Sequence, residues 1–354
     1  MSQRVHRIMS GEDDSVGAFV LRCAAAVVEP IYAAAMAVRN ALYDRGVLRS
    51  FAAPVPVISV GNITTGGTGK TPMVIHIARL LQQHGVHPGV LMRGYGGSDT
   101  RASDEHQLIL HGLHDVPVIA EPDRVAGAAA LSHKHPEVTA IILDDGFQHR
   151  RLKRELDLVL VDASNPFGYG RVLPRGMLRE SADGLRRASG VIITHAEQIA
   201  QSELPALEDH IMRHHGRPPL AVFKHHWGAI VDDADQPVTS SAAGAAVFAA
   251  CAVGNPTAFL AQADAAMKVV GRRVWPDHHA FTHAEATALS AEARKAGATA
   301  ILVTEKDWVK LRHVIESPPS IPFWRPVLSV ACVRGEKELE QLLIEATRAV
   351  TAPL

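Results

Sequence analysis

The chain has 354 residues, with 36 Lys plus Arg against 37 Asp plus Glu, a formal charge of −1 with the histidines neutral. That balance excludes a general nucleic-acid binder, which needs a basic excess, and 5% aromatics leave few platforms for stacking single strands. At 47% hydrophobic and 21% charged the composition is that of an ordinary folded protein, and at about 150 residues per domain the length predicts two domains.

Residues 16–42 are apolar and alanine-rich but interrupted by Arg22 and Glu29-Pro30. A charge at the bilayer centre costs about 2.5–3.5 kcal/mol on insertion scales, which argues against a transmembrane span. Acidic Glu12, Asp13 and Asp14 stand where a signal peptide carries basic residues. The pattern predicts one or two helices broken at Pro30, followed by Arg39, Arg45 and Arg49. Such a segment either lies in a membrane interface, with its arginines at anionic headgroups, or packs as a core helix. Sequence alone leaves both open.

A short buried strand is predicted at 55–60, then a glycine-rich run at 61–71, a helix at 72–84 ended by Gly85, and a strand at 86–92. Further strands are expected at 116–120, 138–143, 156–161 and 190–194, with a helix at about 123–133. Apolar strands alternating with helices mean a parallel sheet covered on both faces. From about 216 to 242 the pattern loosens into a hairpin or connector. A second α/β set follows, with strands near 247–253, 268–274, 300–303 and 327–333 and helices near 256–266, 283–296 and 336–349. Cys23, Cys251 and Cys332 show no CxxC pairing, so neither a structural zinc nor a disulfide framework is indicated, and a reducing cytoplasm is expected. Of the 20 histidines, the pairs His225-His226 and His278-His279 lack the i, i+4 spacing of helical metal ligands.

The sharpest chemical signal is Thr65-Gly66-Gly67-Thr68-Gly69-Lys70-Thr71 between a strand and a helix. Glycines let backbone N–H groups turn inward around a phosphate, and the helix N-terminus adds its positive end. Lys70 then reaches the β/γ oxygens and Thr71 offers a hydroxyl to Mg2+. Thr64 stands where the strict P-loop pattern has its first glycine. The strand Ile141-Ile142-Leu143 ends in Asp144-Asp145-Gly146, delivering two carboxylates of the kind that hold Mg2+ or its water beside a P-loop. Three further clusters lie at strand ends or in loops: Arg93 to Gly97 with Asp104-Glu105 behind it, Arg171, Arg175 and Arg179 with Glu180, and Asp277-His278-His279 with Thr304-Glu305-Lys306-Asp307.

Together these runs resemble the tetraacyldisaccharide 4'-kinase family, the lipid A 4'-kinases of Gram-negative bacteria. The matching stretches are VISVGNITTGGTGKTP (57–72), RGYGG (93–97), LDDGFQH (143–149), LPRGMLRE (173–180), GNP (254–256), PDH (276–278) and TEKDWVK (304–310), in the family's order. The resemblance implies a kinase with ATP and Mg2+ as cofactors. It would transfer the γ-phosphate to the 4'-hydroxyl of a lipid A disaccharide 1-phosphate, in lipopolysaccharide synthesis, at the cytoplasmic face of the inner membrane. It implies no nucleic acid and no obligate protein partner. The implied fold is a P-loop NTPase-type three-layer α/β/α domain plus a smaller C-terminal α/β domain, joined by a β-ribbon, with an N-terminal membrane-associated helix. The corresponding boundaries are 1–48 for the membrane segment, 49–215 for the kinase domain, 216–245 for the linker and 246–354 for the C-terminal domain.

Carried over by position, Lys70 and Thr71 match the P-loop phosphate and Mg2+ residues, and Asp144 and Asp145 the acidic pair near the metal. Glu180 matches an acidic residue at the site's edge, counted with the metal set. Asp104 matches the catalytic base and His278 the histidine that pairs with it. Ser103 and His106 replace the family's glycine and proline around the Asp-Glu pair, and the segment from Gly97 to Asp104 is short, which keeps Glu105 as the alternative base. The competing reading is a P-loop GTPase or ATPase switch, or a metallochaperone-type protein, with the second domain binding a protein or metal.

Overall fold

The computed structural model describes residues 3–94, 100–113, 115–238, 242–254, 256–277 and 279–348, with side chains from residue 5 onward and without those of 100–105. Asp104 and Glu105 lie on a described stretch of helix backbone, but their side chains, and all of His278, fall outside the described residues.

Among the described residues the strands form one eleven-stranded sheet. In chain order these are β1 (Val57–Asn62), β2 (Pro88–Met92), β3 (Val118–Ala120), β4 (Ala140–Asp144), β5 (Leu156–Asp162), β6 (Gly190–Thr194), β7 (Ala221–Val231), β8 (Ala246–Cys251), β9 (Lys268–Val274), β10 (Ala300–Val303) and β11 (Phe323–Arg334). Across the sheet they run β3-β2-β4-β1-β5-β6-β7-β11-β10-β8-β9. The strands from β3 to β7 are parallel, as are those from β11 to β9, and the antiparallel pair β7–β11 joins the two runs. The helices are α1 (Gln3–Ser10), α2 (Val16–Asp44), α3 (Lys70–Gln83), α4 (Thr100–Gly112), α5 (Arg124–Lys134), α6 (Leu204–His215), α7 (Pro256–Ala266), α8 (His283–Lys295), α9 (Glu305–Leu311) and α10 (Glu336–Arg348).

The period of two along each strand sorts the core into layers. In β1, Ile58 and Val60 pack with Met73, Val74 and Ile77 of α3, while Val57 faces Leu91, Leu131 and Ile141 on the other side. In β5, Leu156, Leu158 and Leu160 join the α3 side, and Val159 and Val161 meet Leu207 and Ile211 of α6. The second run repeats the arrangement. Phe248, Ala250, Ile301 and Val303 face Leu289 and Trp308, while Val247, Ala249, Ala300 and Leu302 face Phe259 and Ala263. Strands apolar on both faces are what a sheet sandwiched between helices requires.

Several elements differ from expectation. The helix at 16–44 is continuous through Pro30. Proline removes one backbone donor, but alanine-rich turns flank it and contacts from Tyr32, Arg39 and Asn40 hold the distal half. The segment read as a loose hairpin or connector contains the eleven-residue strand β7, paired along β11. β11 begins at Phe323, four residues earlier than expected, because the pairing is irregular between Pro326 and Leu328, where a strand tolerates proline. Thr304 caps the short helix α9 over residues read as a strand-end loop. Finally, α10 places Leu339, Leu343 and Ala346 in the core formed by α3 and β1, so the end of the stretch 246–354 packs on the first run of strands.

Candidate active site

All strands of the first run point the same way, so β1, β4, β5 and β6 deliver their last residues to one edge, where open α/β sheets bind ligands. β1 ends at Asn62, the loop passes through Gly66 (φ 131°) and Gly69 (φ 75°), and α3 starts at Lys70. The loop is held from outside: Thr65 N donates to Met177 O at 2.7 Å, Arg179 N to Ile63 O at 2.7 Å, and the Thr194 hydroxyl to Thr68 O at 3.0 Å. Thr64 is buried and forms a bridge with Leu178, so strand-like pairing fixes the position where the strict motif has glycine. Gly69 is required on two counts. Its φ is left-handed, and a Cβ there would lie 2.4 Å from His225 Nε2.

Asp144 ends β4 and is 4% exposed; Asp145 follows in the left-handed region at φ 52°. Lys70 Nζ lies 3.5 Å from Asp145 Oδ1 and 3.4 Å from Asn62 Oδ1, and Arg179 Nη1 donates to both Asp145 oxygens at 2.8 and 2.9 Å. Burial pushes the Asp145 carboxyl up, but Lys70 and Arg179 more than offset it, and the group sits below its ordinary value. It is therefore an anion at neutral pH.

Glu180 is 2% exposed and lies behind this pair, outside the cavity wall. Arg187 donates to both its oxygens at 2.9 and 3.1 Å, Gln148 Nε2 to Oε1 at 3.0 Å, and Asn40 Nδ2 of α2 to Oε2 at 2.8 Å. Gln148 Nε2 also donates to Asn62 O at 3.0 Å, the Tyr32 hydroxyl to Arg179 O at 2.8 Å, and Arg39 to Gln148 O at 2.7 Å. The carboxylate expected in the metal set thus buttresses the loop and docks α2.

Sequence reasoning missed a third group. Asp162, at the end of β5, is 3.1 Å from His195 Nδ1, and the His195 and His225 rings stack at 4.0 Å between centroids. His225 is 5% exposed with no hydrogen bond at either ring nitrogen, and burial, then His195, pull it down to about 3. The signal was present as a histidine following an apolar strand, but nothing in the chain order announces that 195 meets 225.

These residues line one cavity of about 1340 Å³, more than a single small ligand fills. Its wall contains Thr65, Gly66, Gly67, Thr68, Lys70, Asp144 and Asp145, with Gly69 and Thr71 adjoining in sequence. Tyr32, Met36 and Arg39 of α2 form another side, and Asp277, Thr304, Glu305 and Lys306 come from the second run of strands. Burial raises Glu305 to about 7. Lys306 pairs with Asp277 at 3.2 Å. Leu108, one turn beyond Asp104 on α4, is in the same wall, as is Asp277 beside His278. Of the basic stretch, Arg179 reaches the cavity and Arg175 pairs with Glu29 of α2 at 3.1 Å.

Among the described residues no three His, Cys, Asp or Glu side chains gather as a metal cage. The donor set instead suits a cation carried by a nucleotide. Mg2+ characteristically takes one or two carboxylates and completes its shell with phosphate and water, and here Asp144 and Asp145 border the glycine-rich loop, with Thr71 following Lys70 in the first turn of α3.

A family model described as tetraacyldisaccharide-1-P 4'-kinase matches residues 21–348. A tetraacyldisaccharide 4'-kinase of Anaeromyxobacter sp. (strain Fw109-5) is 39% identical over 96% of this chain and 95% of its own. The enzyme of that name from Chlorobaculum tepidum is 32% identical over 94% and 98%. The crystal structure of LpxK from Aquifex aeolicus in complex with ATP superimposes with a TM-score of 0.70 at 27% identity, covering 92% of this chain and 99% of that one. With the P-loop, the acidic pair and the cavity in place, the chain belongs to the tetraacyldisaccharide 4'-kinase family.

Proposed function

We propose that the cavity carries out the family's ATP-dependent transfer as follows. The P-loop amides of Thr65 to Gly69 and the N-terminus of α3 receive the nucleotide phosphates, Lys70 neutralises the transferred group, and Thr71 with Asp144 holds Mg2+. When bound, Mg2+ spreads the charge of the β and γ phosphates. Asp145 is already shared by Lys70 and Arg179, which suits it to setting the lysine's position. The 4'-hydroxyl of a tetraacyldisaccharide 1-phosphate attacks γ-phosphorus. Its O–P bond forms as the bond to the β,γ-bridging oxygen breaks, ADP leaves, and the hydroxyl proton passes to Asp104, with His278 supporting.

The two candidates for proton transfer fall on α4 and next to Asp277, which are carried by different runs of the sheet. We therefore assign residues 49–215, together with α10, to a nucleotide-binding unit, and the strands β8 to β10 with α7 to α9 to a second unit that closes over it. Along α2, Val16, Val20, Val27, Ile31 and Val38 are 58–81% exposed, opposite the side that meets the body. This apolar face supports peripheral attachment to the inner membrane from the cytoplasmic side.

The observation that carries the reading is the juxtaposition of Lys70 with Asp144 and Asp145 in a cavity bordered by α2. The test is transfer of labelled γ-phosphate from Mg2+-ATP in mixed micelles, with and without the disaccharide 1-phosphate. Label in the lipid, lost in Asp104→Ala while ATP binding persists, is the expected result. Label released only as free phosphate, whatever lipid is present, contradicts it.

A further inference from the structure

Helix α1 precedes the residues matched by the family model. It folds back onto α2. Asp13 N donates to Arg7 O at 3.1 Å, Arg22 Nη1 to Asp13 O at 2.6 Å, and Ser15 caps α2 by accepting from Ala18 N at 3.2 Å. Ala18, at this junction, is 2% exposed. At the other end, His6 Nδ1 lies 3.3 Å from the Tyr169 hydroxyl, and the Tyr169 turn is joined to the P-loop through Met177, whose N donates to Gly168 O and whose O accepts from Thr65 N. The result is that His6 and Arg7 enter the wall of the cavity that contains the P-loop, beside Tyr32, Met36 and Arg39 of α2.

The other cations of that wall are engaged. Lys70 and Arg179 share Asp145, whose carboxylate also feels the charge of Arg93; Arg39 donates to the Gln148 carbonyl, and Lys306 pairs with Asp277. Arg7 is exposed and makes no side-chain hydrogen bond or ion pair among the described residues. Burial lowers the pKa of its neighbour His6, so the positive charge at this point belongs to Arg7. A guanidinium kept at the wall of a phosphoryl-transfer cavity without a carboxylate partner is suited to a phosphate, which it meets with two parallel N–H donors.

Two ligands of the reaction carry phosphate: the nucleotide, met by the P-loop, and the acceptor, whose ester lies on the sugar away from the hydroxyl that reacts. Resting on the kinase reading above, we propose that α1 is a strap on the α2 side of the cavity and that Arg7, steadied by the His6–Tyr169 contact, binds the phosphate monoester of the acceptor. Arg7 then selects phosphorylated over unphosphorylated disaccharide.

The test uses the full chain in mixed micelles with two acceptors, the tetraacyldisaccharide 1-phosphate and the same lipid lacking the phosphate. KM for each acceptor and for ATP is measured in wild type, Arg7→Ala and Arg7→Lys. Because Arg7 is exposed, the variants are expected to keep the wild-type melting temperature. Arg7→Ala should raise KM for the phosphorylated acceptor about tenfold, leave KM for ATP unchanged, and abolish the preference between acceptors; Arg7→Lys should restore part of the loss. An unchanged acceptor KM, an equal loss with both acceptors, or a rise confined to ATP overturns the assignment while the kinase reading stands. A wild type that phosphorylates neither lipid removes both.

Discussion

Gly69 shows how one residue ties the phosphate cradle to a distant strand. Its left-handed φ costs a side-chain-bearing residue about 1–2 kcal/mol, and a Cβ would also strike the His225 ring from β7. Gly69→Ala should therefore weaken ATP binding by at least about tenfold, measured by calorimetry. Adding His225→Ala removes the collision but not the backbone cost, so the double variant should bind ATP more tightly than Gly69→Ala alone. A double variant weaker than either single one shows that the ring is not what constrains the loop. Glu305 offers a different test. Its carboxyl is raised to about 7 by burial, so it stays protonated in the folded state over a range where the unfolded chain has ionised it. The corresponding stability is full below the ordinary carboxylate range near 4.5 and is lost as pH rises towards 7. Glu305→Gln, which stays neutral, should melt like wild type at pH 4 and higher than wild type at pH 8. A gap that instead opens on acidification contradicts the buried neutral carboxyl.

Among the elements, the inner strands of the first run such as β2, β4 and β6 were legible because each is buried on both faces and reads as an apolar stretch, as in Ile141-Ile142-Leu143. The P-loop and the acidic pair were legible because their chemistry is local in sequence. β7 was not, since Lys224, His226 and Trp227 interrupt its apolar pattern, and its partner β11 lies about a hundred residues on. The continuity of α2 through Pro30 and the stack of His195 on His225 likewise depend on contacts between distant segments, which periodicity does not report. Glu180 is instructive because the family resemblance counted it with the metal set while its surroundings make it a buttress. Arg187 supplies the paired charge in a nearly closed environment. Arg187→Ala leaves that carboxylate buried with only the amides of Gln148 and Asn40, and should cost about 3–5 kcal/mol in urea unfolding. Loss below about 1 kcal/mol, the range of a solvated pair, contradicts a buried role for it.

At the scale of the whole molecule, α2 has two working sides. One presents Tyr32, Met36 and Arg39 to the cavity and Asn40 to Glu180, while the other leaves Val20, Val27 and Ile31 at 58%, 70% and 68% exposure. On the function proposed above, a helix with that division would let acyl chains stay in the bilayer while the sugar headgroup passes along the same helix to the phosphate loop. The apolar side makes no contribution to the core, so it is open to change without unfolding the body. Burying each such side chain in a membrane is worth about 1.5–3 kcal/mol. Replacing Val20, Val27 and Ile31 together by serine should therefore reduce partitioning onto phospholipid vesicles by about a hundredfold or more, read by co-sedimentation. ATP affinity and melting temperature should remain at wild-type values, and transfer to a vesicle-borne acceptor should fall in parallel with binding. Transfer to a short-chain acceptor in solution should persist, because the cavity side of α2 is untouched. If the triple variant kept full activity on vesicles, the exposed face would have no part in reaching the lipid, and the acceptor would have to approach from another side of the cavity.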